Sequence, residues 1–279
     1  MFIEYLDSLP ENTKEINVSD KGITSLDVTR FKNLKILNCS NNQLTNLQFN
    51  ENLEELNCNY NRLTTLHINE KLKMLYCSNN KLTTLPPLKN LKILHCSHNQ
   101  LTTLPPLENL KILNCLNNYL TILPPLNNLE IINCSLNCLT TLPALENLET
   151  LYCSYNQLTT LPPLNEKLQL LHCQFNKLTI LPRLNEQLIV WILYENPIFD
   201  IICSYNQLTN SDNRDVINEK LRVLNQFRYL YYSLKFKERL RDWLWVKIRE
   251  PKIRERYSHD YLVANLHEDT DLDDLLENW

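Results

Sequence analysis

The sequence predicts an α/β repeat solenoid. Its features are short coils of 19–20 residues, a parallel sheet on the concave face, an extended, polyproline-like convex side, and a small helical module at the C-terminal end. Three observations predict it. A cysteine marks a regular beat at Cys39, Cys58, Cys77, Cys96, Cys115, Cys134, Cys153 and Cys173, with six steps of 19 residues and a last step of 20. An asparagine keeps the same time at Asn42, Asn61, Asn80, Asn99, Asn118, Asn137, Asn156 and Asn176. Between beats the phrase Leu-Thr-Thr-Leu-Pro-Pro-Leu returns, as at residues 82–88. A fixed period in this range means stacked coils, each of which buries its apolar face only against its neighbours.

Each part of the unit has a physical reason. In the copy at Leu91, the residues Leu91, Leu94 and Cys96 alternate inward along a short strand, and Leu101 and Leu104 turn back into the core. Asn99 stands where the strand ends. A side-chain amide offers both donors and acceptors, so it can pair backbone groups of its own coil and of the next one. Unpaired, those groups would cost about 1–3 kcal/mol each. Proline fixes φ and donates no hydrogen bond, so the Pro-Pro half of the coil is extended rather than helical.

Ahead of the first cysteine, Ile16, Val18, Ile23 and Leu26 fit a degenerate first coil with Val18 in the cysteine slot, so residues 1–30 read as an N-terminal cap and first repeat. The solenoid is predicted over residues 31–210. Its tenth coil carries Leu188, Trp191, Leu193, Asn196 and Ile198, with Leu193 in the cysteine slot. The phrase at Cys203 then returns only ten residues later, too soon for a full coil, and reads either as a truncated strand or as an irregular loop. Residues 211–279 are predicted helical. Ile217, Leu221, Leu224, Tyr231 and Leu234 keep helical spacing, with Phe227 beside them. A second stretch follows at Phe236, Leu240, Trp243, Leu244 and Ile248, and Pro251 stops it or starts a bend. Ser258 and the Thr270–Asp273 pair are candidate caps of two further helices. Residues 214–256 hold 13 Lys or Arg against 6 acids, and residues 260–279 hold 7 acids with no Lys or Arg. The acidic tail folding back to neutralise the basic helices is the preferred reading, and a basic patch for nucleic acid or anionic lipid is the alternative.

Composition excludes several functions. The chain has one glycine, Gly22, which removes phosphate-cradling loops and the Rossmann fingerprint. A net charge of −4 gives no reason to expect nucleic acid. No apolar run approaches a membrane span, and the first residues lack the pattern of a signal peptide. The cysteines fall on one inward position of successive coils. There they serve as small hydrophobes, and a line of thiols does not offer the tetrahedral corners that zinc needs. Free thiols in a reducing compartment are expected, with no metal and no cofactor. Cys138 differs: it follows Asn137, where other coils carry Gln43, Arg62 or Gln100, and is expected to be more exposed and more reactive.

The unit L-x-x-L-x-C-x-x-N-x-L-T-x-L-P-P-L resembles the leucine-rich repeat, with cysteine at a position usually apolar. The phrase Cys-Ser-x-Asn-x-Leu-Thr-x-Leu-Pro is similar to repeats in leucine-rich repeat proteins of giant DNA viruses of the mimivirus group. So are Leu-Trp-Val-Lys-Ile-Arg-Glu-Pro-Lys-Ile-Arg-Glu-Arg-Tyr-Ser at residues 244–258 and the acidic ending at residues 271–279. That resemblance implies a location in the host cytoplasm or virus factory and supplies no catalytic residue.

The outward strand positions are the candidate site. The slot before the cysteine reads Tyr76, His95, Asn114, Asn133, Tyr152 and His172 from the third copy onward, and two residues earlier stand Met74, Ile93, Ile112 and Ile131. Beyond the cysteine come Tyr60, His98, Leu136, Tyr155 and Phe175. Aromatic and branched apolar side chains on an open sheet face are suited to burying protein surface. His95 and His98 lie close in sequence but lack a positioned carboxylate to complete a metal site. The leading expectation is a non-enzymatic module that binds a partner protein through the concave face. The alternatives are an adaptor for a larger machine such as a ubiquitin ligase, docked through the C-terminal helices, and an enzyme that uses the C-terminal module. No F-box-like helical segment precedes the repeats, which weighs against the adaptor.

Overall fold

A computed structural model of the chain describes residues 2–67, 70–202, 214–244, 246–247 and 250–252. The readings at Cys203, Ser258, Thr270 and the acidic end lie outside the described residues. The chain divides into two compact units, residues 1–221 and 222–279.

In the first unit a short helix α1 (Phe2–Ser8) precedes strand β1 (Glu15–Asn17), then β2 (Ser25–Asp27), β3 (Ile36–Asn38), β4 (Asn46–Gln48) and β5 (Glu55–Asn57). One strand per coil follows: β6 (Met74–Tyr76), β7 (Ile93–His95), β8 (Ile112–Asn114), β9 (Ile131–Asn133), β10 (Thr150–Tyr152), β11 (Leu170–His172) and β12 (Val190–Ile192). Ten of these form one parallel sheet in the order β1-β3-β5-β6-β7-β8-β9-β10-β11-β12. The register never slips: Leu75 lies opposite Leu94, Leu94 opposite Leu113 and Leu113 opposite Ile132. The inward column, the cysteines and the convex leucines make one continuous core, in which the eight ladder cysteines are completely buried.

The asparagine ladder works as its chemistry requires. Asn99 Nδ2 donates to Ser97 O (3.2 Å) and Cys96 O (3.1 Å) of its own coil and to Cys77 O (2.9 Å) of the preceding one, while its Oδ1 accepts from Leu82 N (2.9 Å). The same acceptor bond recurs at Asn61, Asn80, Asn118, Asn137, Asn156, Asn176 and Asn196. Each amide therefore ties its coil to the one before it, and the sequence reading had it reaching the next.

The convex side departs from the expectation in the first coils. There β2 and β4 pair as a second, two-stranded parallel sheet, and Val28 N donates to Gln48 O at 3.0 Å. Later coils have Pro86-Pro87 and Pro105-Pro106 at the matching positions. Proline has no N–H for this ladder, so the second sheet cannot extend into those coils, although Thr65-Leu66-His67 of the intervening coil has no proline and is not a strand either. Ile198 of the tenth coil adds a feature that the repeat pattern does not show. It is buried, but within a short helix α2 (Pro197–Ile202) that Pro197 opens, as its fixed φ favours at a first helical position.

The helical periodicity from Ile217 onward is one continuous helix, α3 (Arg214–Leu244), which covers the first stretch read from sequence and the second as far as Leu244, while Ile248 lies outside the described residues. Residues 250–252, including Pro251, are helical as well. The first turns of α3 belong to the first unit. Asn218 accepts from Leu184 N (2.9 Å) and donates to Leu184 O (3.0 Å), while Ile217 and Leu221 are buried. These contacts cover the last coil, whose apolar end would otherwise face water.

All nine described cysteines are unpaired. Thiol titration after denaturation without reductant is expected to find at least the eight thiols of the ladder. Several disulfides among Cys39 to Cys173 would contradict the fold's account of that column.

Candidate functional site

Along the sheet's outer face the side chains fall into four columns. The second and third columns follow from the register, since residues two apart on a strand share a face and paired residues stand side by side, while the first and fourth flank the strands at their two ends. The first column, just before the strands, is charged from β3 to β10, at Lys35, Glu54, Lys73, Lys92, Lys111, Glu130 and Glu149, and then reads Gln169 and Ile189. The second is apolar. Met74, Ile93 and Ile112 are half-buried, Ile131 is 38% exposed, and Val190 extends the column at the far end. The third holds Tyr76, His95, Asn114, Asn133, Tyr152 and His172, all half-buried. The fourth, beyond the cysteine, holds Tyr60, Asn79, His98, Asn117, Leu136, Tyr155 and Phe175.

The candidate residues named from sequence are thus brought onto one face. Tyr76 meets His95 edge-on with ring centroids 5.1 Å apart, and Tyr152 meets His172 in the same way at 4.9 Å. Asn114 Oδ1 accepts from Leu116 N (3.3 Å) and Asn133 Oδ1 from Ser135 N (3.2 Å). These bonds fix the orientation of the two amides. Burial holds His95 and His172 below the ordinary histidine value of 6.5, so both are neutral at pH 7. Burial, and after it Glu55, pushes the Tyr76 hydroxyl up. The column therefore presents uncharged aromatic and amide groups.

The fourth column carries a backbone feature absent from the sequence reading. Asp20, Asn41, Tyr60, Asn79, His98, Asn117, Leu136, Tyr155, Phe175 and Glu195 all have positive φ, between 52° and 58°. This left-handed turn lets the inter-coil ladder continue, as in Tyr60 N to Ser78 O (2.9 Å) and Asn61 N to Asn79 O (3.1 Å). Asparagine adopts the conformation cheaply, whereas a bulky side chain with a β-carbon costs about 1–2 kcal/mol. Three successive coils nevertheless place Leu136, Tyr155 and Phe175 there. Tyr155 stacks on Phe175 (4.3 Å, 13°), and Phe175 meets Tyr194 edge-on at 5.3 Å. Leu136, Tyr155 and Tyr194 are each more than 40% exposed. Tyr194 escaped the sequence reading, because its slot holds serine in most coils and the cluster forms only across three coils.

The charged column was also missed. Its residues are 19 apart in sequence and read as scattered charges, yet Glu54 bridges Lys35 (2.5 Å) and Lys73 (2.6 Å), and Lys111 pairs with Glu130 (2.7 Å). The hydrogen bond from Lys35, followed by that from Lys73, lowers the Glu54 carboxyl to about 2. A second asparagine ladder supports this edge: Asn90, Asn109, Asn128 and Asn147 each donate to a carbonyl of the preceding coil at 2.8–3.0 Å.

Other chemistry finds no support at the face. Burial pushes the ladder thiols up, to about 12 at Cys39, Cys96 and Cys134, so they hold almost no thiolate at neutral pH. Cys138 is half-buried, and its N–H donates to Leu120 O (2.9 Å). His98 sits in the left-handed turn with Nδ1 2.8 Å from the Asn117 amide, while His95 turns to Tyr76. Among the described residues no three His, Cys, Asp or Glu side chains converge, and no helix is long and apolar enough to cross a membrane.

Residues 70–109 match a family model for leucine-rich repeats in two copies, and residues 147–165 match one for a single leucine-rich repeat. No curated protein matches the chain. Among solved structures it is similar to YopM, a leucine-rich effector protein from Yersinia pestis. The two share 33% identity over 66% of this chain and 55% of that one, with a TM-score of 0.62. YopM from Yersinia enterocolitica is 27% identical over 72% of this chain and 50% of its own (TM-score 0.55). A leucine-rich repeat protein of Leptospira interrogans is 28% identical over 78% and 61% (TM-score 0.58). The chain thus spans about half to three fifths of the length of these proteins. The period, the asparagine ladder, the single parallel sheet and these likenesses agree: the repeats of this protein are leucine-rich repeats.

Proposed function

We propose that this protein is a non-enzymatic binding module that engages a partner protein through the concave sheet face. The leucine-rich repeat fold is generally a protein-interaction module. The observation that carries the reading here is the apolar and aromatic surface left open on that face. It runs from Met74 through Ile131 and on to the Tyr155–Phe175–Tyr194 cluster. A cluster held out on strained backbone is a mark of function, since the strain is retained against a cheaper asparagine. Aromatic anchors of this kind carry most of the energy in protein interfaces. YopM is an effector protein by its description. Together with the resemblance to giant-virus repeat proteins, this favours a host protein as partner and the host cytoplasm or virus factory as the place of action.

Replacing Tyr76 and Tyr152 with Ala is expected to weaken partner binding by about 1–2 kcal/mol or more with the melting temperature nearly unchanged. Thr84→Ala and Thr103→Ala, on the exposed convex side, are expected to leave affinity alone. Calorimetric titration of the four variants checks this, and equal weakening by both sets would refute the concave-face reading.

A further inference from the structure

From β6 onward the charged column is ordered: Lys73, Lys92 and Lys111 are followed by Glu130 and Glu149, whereas Lys35 and Glu54 ahead of them alternate in sign. Residues 71–111 hold six lysines, at 71, 73, 81, 89, 92 and 111, against the single acid Glu108. Residues 130–186 hold five glutamates, at 130, 146, 149, 166 and 186, against Lys167, Lys177 and Arg183. The sign changes along one groove of about 570 Å³, whose wall passes from Lys92 and Lys111 to Glu130 and Glu149, with Lys167 beyond them. Each of these charges stands one residue ahead of a stripe residue, Lys92 before Ile93, Lys111 before Ile112 and Glu130 before Ile131, so its Cα lies about 3.8 Å from the stripe, at the sheet's edge. Within the column, Lys73 is held by Glu54, and Lys111 by Glu130. Lys92 and Glu149 are exposed and make no ion pair among the described residues.

Resting on the concave-face reading, we propose that the site takes a charge-ordered protein segment. Its apolar side chains lie on the Met74–Ile131 stripe, and its flank is acidic beside Lys73, Lys92 and Lys111 and basic beside Glu130 and Glu149. At about 4.8 Å per strand, the path from β6 to β11 is about 24 Å, which about 16 residues span even when helical. Apolar contact supplies the affinity, while the order of charges sets the direction in which the segment lies and repels a segment of the opposite order.

The probe is a displayed library of random peptides about 16 residues long, long enough for that span, selected on the intact chain. Enriched peptides are expected to join an apolar core to Asp or Glu on one side and Lys or Arg on the other. They are expected to bind a folded Lys92→Glu, Glu149→Lys double variant about tenfold more weakly, and to weaken with added salt. Peptides without charge order, peptides that bind the double variant as well as the parent, or no enrichment at all would each overturn the proposal. Ile112→Arg separates the two levels. Peptides that lose binding to Ile112→Arg but ignore the charge reversal sink only the charge order. Peptides that bind Ile112→Arg undiminished sink the concave-face reading too.

Discussion

Raising the pH above about 9 in the presence of reductant is expected to unfold the solenoid over a narrow range. The cause is the cysteine column. Burial holds Cys39, Cys96 and Cys134 protonated up to about 12, against an ordinary value of 9.0, and it raises the other five thiols as well. Below pH 9 folded and unfolded chains both keep these protons, and stability is at its full value. Between 9 and 12 the unfolded chain gives up protons that the folded chain retains, so stability falls as pH rises. Each thiol contributes about 1.4 kcal/mol per pH unit, and eight together about 11, comparable with the whole stability of a domain. Urea unfolding across this range measures the slope. A variant with Cys96, Cys115 and Cys134 replaced by Ala is expected to lose about 4 kcal/mol per pH unit of that slope, whatever its stability at pH 7. An unchanged slope would show that the column does not stay protonated in the folded chain.

Cys96→Asp is expected to cost about 4 kcal/mol or more at pH 7, while Cys138→Ser costs less than about 0.5 kcal/mol. Cys96 has no exposed surface and stands between Cys77 and Cys115. A carboxylate there has neither solvent nor a cationic partner, so its pKa is expected to rise above the unfolded value. By the same sign rule, its penalty vanishes below the unfolded aspartate value of about 3.9 and grows as pH increases. Cys138 is half-buried, and its structural bond is made by the backbone N–H, which serine keeps. Chemical denaturation of the two variants distinguishes them, and equal losses would mean that the inward register is misassigned.

The core was legible because one residue type per coil repeats at one position. Cys96 and Asn99 need no knowledge of their neighbours to be placed, since every coil makes the same demand. The left-handed turn was hidden for the opposite reason. Asparagine occupies it at Asn41, Asn79 and Asn117, but Tyr60, Leu136 and Phe175 occupy it elsewhere, and no residue preference announces a conformation that the inter-coil ladder imposes. The aromatic columns were legible as outward positions, whereas the pairing of Phe175 with Tyr194 depends on the geometry of adjacent coils. The same holds for the bridge from Glu54 to Lys35 and Lys73. The convex pair β2–β4 is permitted by what the first coils lack, since a missing proline leaves a donor free to pair, but Leu66-His67 of the next coil lacks proline too and is no strand, so the sequence alone does not mark where the pair stops. Helix α2 was hidden because Ile198 satisfies the inward position of an extended coil as well as that of a helix.

The most direct test of the account is the affinity of a purified partner for three proteins: the parent, Ile112→Arg on the concave face, and a Phe227→Ala, Tyr229→Ala double variant on α3. Phe227 and Tyr229 are 70% and 79% exposed, so they offer a fair rival surface. A guanidinium in the middle of the apolar stripe is expected to weaken binding at least about a hundredfold, as loss of a central interface anchor does, without changing the melting temperature. The α3 variant is expected to bind as the parent does. Full affinity in Ile112→Arg together with lost binding in the α3 variant would contradict the account and make the solenoid a scaffold for the helical end.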